Sequence, residues 1–196
     1  MVRKALLAVL LAAVLVVPAA QAGNGNGKAK PLDQAQAQTL VSAPGASLGT
    51  TAGAASPRDA LAAASQPGAQ TQLAPGFATP AQAIAASTGC ASYQSGWGWG
   101  TWPYDQQVYD HTYYCAVTGD HITYRSTTVT TGGTLCGTES RDNWIVSGGI
   151  GYFWMVVHAQ ARFSCPTAVP WVTLHPTDWL ETSYNAWGNA AQVGHS

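Results

Sequence analysis

The run Trp97-Gly-Trp-Gly-Thr-Trp102 carries the most distinctive chemistry in this 196-residue chain. An extended backbone sends alternate side chains to opposite faces. Trp97 and Trp99 then project together, and Gly98 and Gly100 leave the other face bare. Two co-facial indoles form a platform on which a sugar ring can stack. The competing reading places these rings at one end of the core, with the glycines admitting a close backbone. The surrounding sequence is short of Leu and Ile, so Trp must supply core volume in either case.

A second candidate is the alternation His158-Ala-Gln160-Ala-Arg162. On a strand, His158, Gln160 and Arg162 share a face. That strip suits an anion or carbonyl group, or it is a solvated sheet face. His111, His121 and His175 lie in separate segments without His-x-His or His-x-x-x-His spacing, so no metal is expected. Asp178 and Glu181 are three apart and would share a helical face as a carboxylate pair. The simpler account, with Thr177 preceding them, is an acidic first helical turn. The chain has no Gly-x-Ser-x-Gly elbow, His-Glu-x-x-His or phosphate loop. Neither a catalytic residue nor a cofactor is therefore expected.

The elements that position these residues are strands. From Gly151 to Cys165 the odd positions are wholly apolar, and the even positions turn polar towards Arg162. That period of two predicts a long antiparallel strand, buried on both faces at its start. Thr112–Thr118 and His121–Thr131 predict two more, joined by a tight turn at Gly119-Asp120 and closed by Gly132-Gly133. Asn143–Ser147 and Val169–Leu174 are shorter candidates, and Tyr93–Trp102 is aromatic and glycine-rich. Between Pro176 and Trp187, a short helix carrying Trp179, Tyr184 and Trp187 competes with a strand. The expected fold is all-β: one antiparallel sandwich or small barrel of six to eight strands with two disulfides.

Four cysteines at spacings of 25, 21 and 29, with no Cys-x-x-Cys, point to disulfides rather than zinc. Of three possible pairings, Cys115–Cys165 is favoured because both cysteines fall on the apolar face of a strand. Cys90–Cys136 follows.

The domain so defined spans 88–196. It holds every Trp, Tyr, Cys and His of the chain and no Lys. Three arginines stand against seven carboxylates, a formal balance of −4. Without a basic patch, nucleic acid is excluded as a partner. Residues 23–87 are rich in Ala, Gln, Gly, Pro, Ser and Thr and hold one aromatic, Phe77. With so little to bury, they read as a mostly disordered tether. Two echoes interrupt it, Ser56-Pro-Arg-Asp-Ala-Leu and Thr79-Pro-Ala-Gln-Ala-Ile. Each pairs an N-cap residue with Pro at the first helical position, predicting helical turns too short to persist alone. Residues 1–22 carry Arg3 and Lys4, an apolar run Ala5–Val17, Pro18 and then Ala20-Gln-Ala22, the order of a cleavable secretory signal. The apolar run is short for a membrane span, and none follows it.

The stretch Trp102-x-Tyr-x-Gln-x-Val108, with Tyr114-Cys115-x-x-x-Gly119-x-x-Ile-Thr123 and Ala161-Arg162-Phe-Ser-Cys165, resembles a loose group of secreted actinobacterial β-domain proteins with no known activity. The resemblance implies a disulfide-bonded β fold outside the cell and carries over no catalytic residue. These readings together predict a secreted, non-catalytic binding module for glycan or a cell surface. The binding candidates are Trp97, Trp99, Trp102, His158 and Arg162. Two alternatives remain: a protein-interaction module such as an adhesin, inhibitor or effector, and a small secreted hydrolase.

Overall fold

Residues that alternate between apolar and polar build this molecule, and two stacked sheets result. The computed structural model describes residues 45–167, 169 and 171–196. The expected signal (1–22) and the first part of the expected tether (23–44) lie outside the described residues. The first sheet has the order β1-β3-β4-β5-β2, from Ala46–Ala55, Gly89–Trp99, Gln106–Val117, His121–Gly133 and Gln70–Leu73. The second has the order β10-β9-β7-β6, from Ala190–His195, Thr177–Asn185, Trp154–Pro166 and Gly137–Gly148. The two-residue β8, Thr173–Leu174, pairs with the end of β7. All pairings are antiparallel. The all-β sandwich with two disulfides is thus the observed fold.

The odd positions of β7 behave as their spacing predicts. Met155, Val157, Ala159, Ala161, Phe163 and Cys165 are all buried. They divide between two apolar clusters in the layer between the sheets. One gathers Trp99, Tyr104, Val108, Phe163 and Leu180, and the other Tyr93, Tyr114, Ile122, Met155 and Tyr184. The strand begins at Trp154, later than expected. Gly149 to Phe153 form a turn, and Gly148 just before it and Gly149 and Gly151 within it have positive φ. Tyr152 and Trp154 are exposed, so the strand's start is not buried on both faces.

Four other expectations are corrected. In the segment 176–187, left open between helix and strand, Thr177–Asn185 is strand β9, which alternates buried and half-buried residues after an exposed Thr177. Asp178 and Glu181 consequently point to opposite faces and form no pair. Among the described residues of the expected strand 169–174, only Thr173–Leu174 is strand. The disulfides are Cys90–Cys115 and Cys136–Cys165, not Cys115–Cys165 and Cys90–Cys136. Cys115 lies on the outer face by simple alternation, because Val108, Asp110, Thr112, Tyr114 and Ala116 take the inner one, and it is buried there under other cover. It sits directly across from Cys90 on β3.

The fourth correction concerns residues 45–87, which belong to the fold rather than to a tether. β1 and β2 are the two edges of the first sheet. The two echoes are helices α1, Pro57–Ala63, and α2, Pro80–Ala85. Ser56 and Thr79 each close a capping box with Asp59 and Gln82. The helices persist because they pack: Ala60, Ala83 and Ile84 bury against Cys115 and Tyr124 on the outer face of the first sheet. The Tyr124 hydroxyl donates to the Ala60 carbonyl at 2.5 Å.

Between the two apolar clusters runs a buried polar belt. Three hydrogen bonds cross it from sheet to sheet: Ser95 to Thr182 at 3.0 Å, the Tyr184 hydroxyl to Asp110 Oδ2 at 2.7 Å, and Arg125 Nη2 to Asn143 Oδ1. Thr112 donates to Asp110 Oδ1 at 2.9 Å. Burial raises the Asp110 carboxyl above its usual range, against the Tyr184 and Thr112 hydrogen bonds and the Arg125 charge. Burial lowers the Arg125 guanidinium, with the Asp110 charge opposing. Burying charge is costly unless it is partnered, and this belt supplies part of the partnering.

Candidate functional site

The long β7 strand holds the central side chain of the candidate site, and its neighbours in register complete it. His158 faces outward from the second sheet. Opposite it lie Trp144 on β6 and Glu181 on β9. Trp179 is set across from Gln160, two pairs further along and so on the same face. Cross-strand and diagonal neighbours on one face are within reach of aromatic rings. The Trp144 and His158 rings stack at 4.3 Å between centroids, and His158 and Trp179 at 5.2 Å. Glu181 Oε1 lies 3.0 Å from His158 Nδ1, which orients the imidazole. The result is a Trp-His-Trp strip across three strands, its imidazole held by a carboxylate from the neighbouring strand.

Gly194 explains how Trp179 fits. A Cβ at this position would lie 3.2 Å from both the Trp179 ring and Glu181 Oε2. Trp154 and Val156 extend the same face along β7. Trp144 and Trp154 are exposed. Such an arrangement offers indole surface for stacking, with Gln160 and Glu181 beside it as hydrogen-bonding groups.

Arg162 shares the face but belongs to a separate cluster. Its Nε is 2.9 Å from Glu139 Oε2, and His175 Nδ1 is 2.7 Å from Glu139 Oε1. His158 and Arg162 therefore lie on one face, as expected, and are engaged by different carboxylates. Among the described residues, no three His, Cys, Asp or Glu side chains gather as a metal site.

The Trp97–Trp102 run is placed otherwise. Trp99 is buried, and its Nε1 donates to the Ser196 carbonyl at 3.2 Å. Trp97 meets Trp99 edge-on at 5.9 Å and is covered by His195, stacked at 3.5 Å. Both rings pack with the core, so they do not form the paired platform. The glycine side is not bare either: a Cβ at Gly96 would clash with Tyr109, and one at Gly98 would crowd Leu48. Trp102 stands apart in the connection after β3, with 76% of its surface exposed.

Sequence reasoning singled out His158 and missed Trp144, Trp179 and Glu181 as its companions. The alternation places each on a strand face, yet only the pairing register of β6, β7 and β9 brings them together.

Fold and site together define a disulfide-bonded β-sandwich module with an aromatic outer sheet face. No helix among the described residues is long and apolar enough to cross a membrane. Comparison with protein-family models, curated proteins and solved structures returns no match.

Proposed function

We propose that the protein is an exported, non-catalytic module that binds glycan through the outer face of its second sheet. The observation that carries this reading is the Trp144–His158–Trp179 strip. Stacking orders these side chains before any ligand arrives, and preorganisation lowers the entropy cost of binding. Large aromatic groups on an exposed sheet face mark an interaction site rather than a fold requirement. The two disulfides fit an oxidising compartment, and the order of residues 1–22 supports export.

Titration of intrinsic Trp fluorescence with soluble cell-wall polysaccharides, together with pull-down on insoluble ones, tests the proposal. Trp144→Ala and Trp179→Ala are each expected to weaken binding about tenfold, a loss of about 1.4 kcal/mol. A wild-type protein that binds none of these polymers would refute it.

A further inference from the structure

The layer between the sheets is open at one end. The first sheet extends to β1, where small residues line its inner face. Ala52, Ala54, Gly89 and Ala91 form the floor of a cavity of about 420 Å³, with Tyr114 and Trp187 as walls. Pockets for small ligands commonly span about 300–1,000 Å³. Ala52 and Ala54 are exposed, so the floor reaches solvent.

Trp187 is 63% exposed yet fixed. It sits in the turn between β9 and β10, where Asn185 Oδ1 accepts from the Trp187 and Asn189 backbone amides at 3.0 and 3.2 Å. Its ring meets Phe153 edge-on at 4.8 Å. On another side it lies against Gly119, where a Cβ would be 3.0 Å from Nε1. Gly119 also has φ of 77°, a conformation that favours glycine. An indole braced in this way, beside a floor of methyl groups and bare backbone, is a ready stacking wall.

The cavity lining contains no Asp, Glu, Lys, Arg or His. A charged ligand would lose its hydration there without a counter-charge. Hydroxyls are present: Thr118, bonded to Thr88 at 2.7 Å, and Tyr114, whose hydroxyl donates to the Asn189 carbonyl at 3.3 Å. Each oxygen retains acceptor capacity for a ligand hydroxyl. Burial pushes the Tyr114 phenol up to about 12, so it stays neutral.

We infer that this cavity is a second saccharide site, which takes an uncharged mono- or disaccharide unit stacked on Trp187. The inference rests on the glycan-binding reading and adds to it a place for a short neutral unit, distinct from the sheet face.

Calorimetry with cellobiose, maltose and di-N-acetylchitobiose on the full chain tests it, using four proteins matched for thermal stability. In Trp187→Ala the wall is removed, and in Ala54→Phe the exposed floor is filled. Trp144→Ala reports on the sheet face. At least one neutral disaccharide is expected to bind wild type and Trp144→Ala alike, and to bind Trp187→Ala and Ala54→Phe at least tenfold more weakly. Disaccharide binding unaffected by either cavity variant would overturn the inference. So would equally tight binding of a uronic-acid disaccharide. If disaccharides fail to bind while polysaccharide still binds through Trp144 and Trp179, this site falls and the sheet-face proposal stands. If no glycan binds at all, both fall.

Discussion

Asp178 is a carboxyl where the fold has little use for a charge. It lies on the buried side of β9, and its Oδ2 finds no hydrogen-bond partner among the described residues. Burial raises its pKa to about 7, against an ordinary value of 3.8. In the folded protein this group therefore holds its proton over a range where the unfolded chain has released it. The stability associated with the neutral form is present at about pH 4 and is lost as pH rises towards 7. Asp178→Asn should remove that slope between pH 4 and 7 and raise stability at pH 8 by about 1–3 kcal/mol, since an unsatisfied buried group costs that much. Urea unfolding of both proteins at pH 4.5 and pH 8 measures it. An unchanged difference between the two pH values in the variant would count against the assignment. In the sequence, Asp178 looked like an N-terminal helix residue because Thr177 precedes it. Its strand neighbours Leu180, Thr182 and Tyr184 share its parity, and that alternation was the signal for burial. Asp110 was hidden differently: it occupies an inward-facing position in line with Val108, Thr112 and Tyr114, and only the facing sheet shows that Tyr184 waits there to donate.

At the scale of elements, the two short helices show how packing overrides composition. Segments of six or seven residues are marginal helices in water. Capping boxes at Ser56 and Thr79 satisfy their first amides, and Ala60, Ala83 and Ile84 supply just enough apolar surface to cover Tyr124 and Cys115. The N-cap and Pro signals were legible in the sequence; the docking was not, because alanine methyl groups carry almost no periodic signature. The same holds for β1, a strand of Ala, Gly, Ser and Thr with one Leu, which pairs along most of β3. By contrast, β7 was legible throughout its buried length because its side chains differ sharply between faces. The disulfides sit between these cases: the strands carrying Cys115 and Cys165 were readable, but not that Cys115 faces outward from its sheet and is buried there by the two short helices. If residues 45–87 are structural, a chain beginning at Thr88 should expose Tyr124 and the Cys90–Cys115 bridge, and it should lose the β1 and β2 pairings. Its melting temperature should fall by 10 °C or more, equivalent to about 3–5 kcal/mol. Ile84→Ala should cost about 2–3 kcal/mol by cavity formation alone. A simple tether would leave calorimetric melting unchanged in both proteins.

Across the whole molecule, charge is sparse and aromatic surface is abundant. Five of the eight tryptophans are exposed: Trp102, Trp144, Trp154, Trp171 and Trp187, with Trp171 at 93%. Meanwhile the chain carries eight basic and nine acidic residues in 196, a net formal charge of −1. Recognition by such a surface draws on stacking and hydrogen bonds, not on long-range attraction. Stacking is indifferent to ionic strength, whereas contacts between exposed charges weaken as the screening length falls from about 10 Å at 0.1 M salt to about 3 Å at 1 M. The ion pairs on the aromatic face are internal: His158 with Glu181, and Arg162 with Glu139. They orient side chains and leave little net field to attract a polyanion. Polysaccharide binding through this face should therefore change less than twofold between 50 and 500 mM sodium chloride. Binding dependent on phosphate or carboxylate contacts would instead lose orders of magnitude over the same range. Affinity electrophoresis in gels containing a neutral polysaccharide, run at both salt concentrations, separates the two. A steep salt dependence would shift the source of affinity from the indoles to Arg162 and its neighbours, and Arg162→Gln would then weaken binding more than Trp144→Ala.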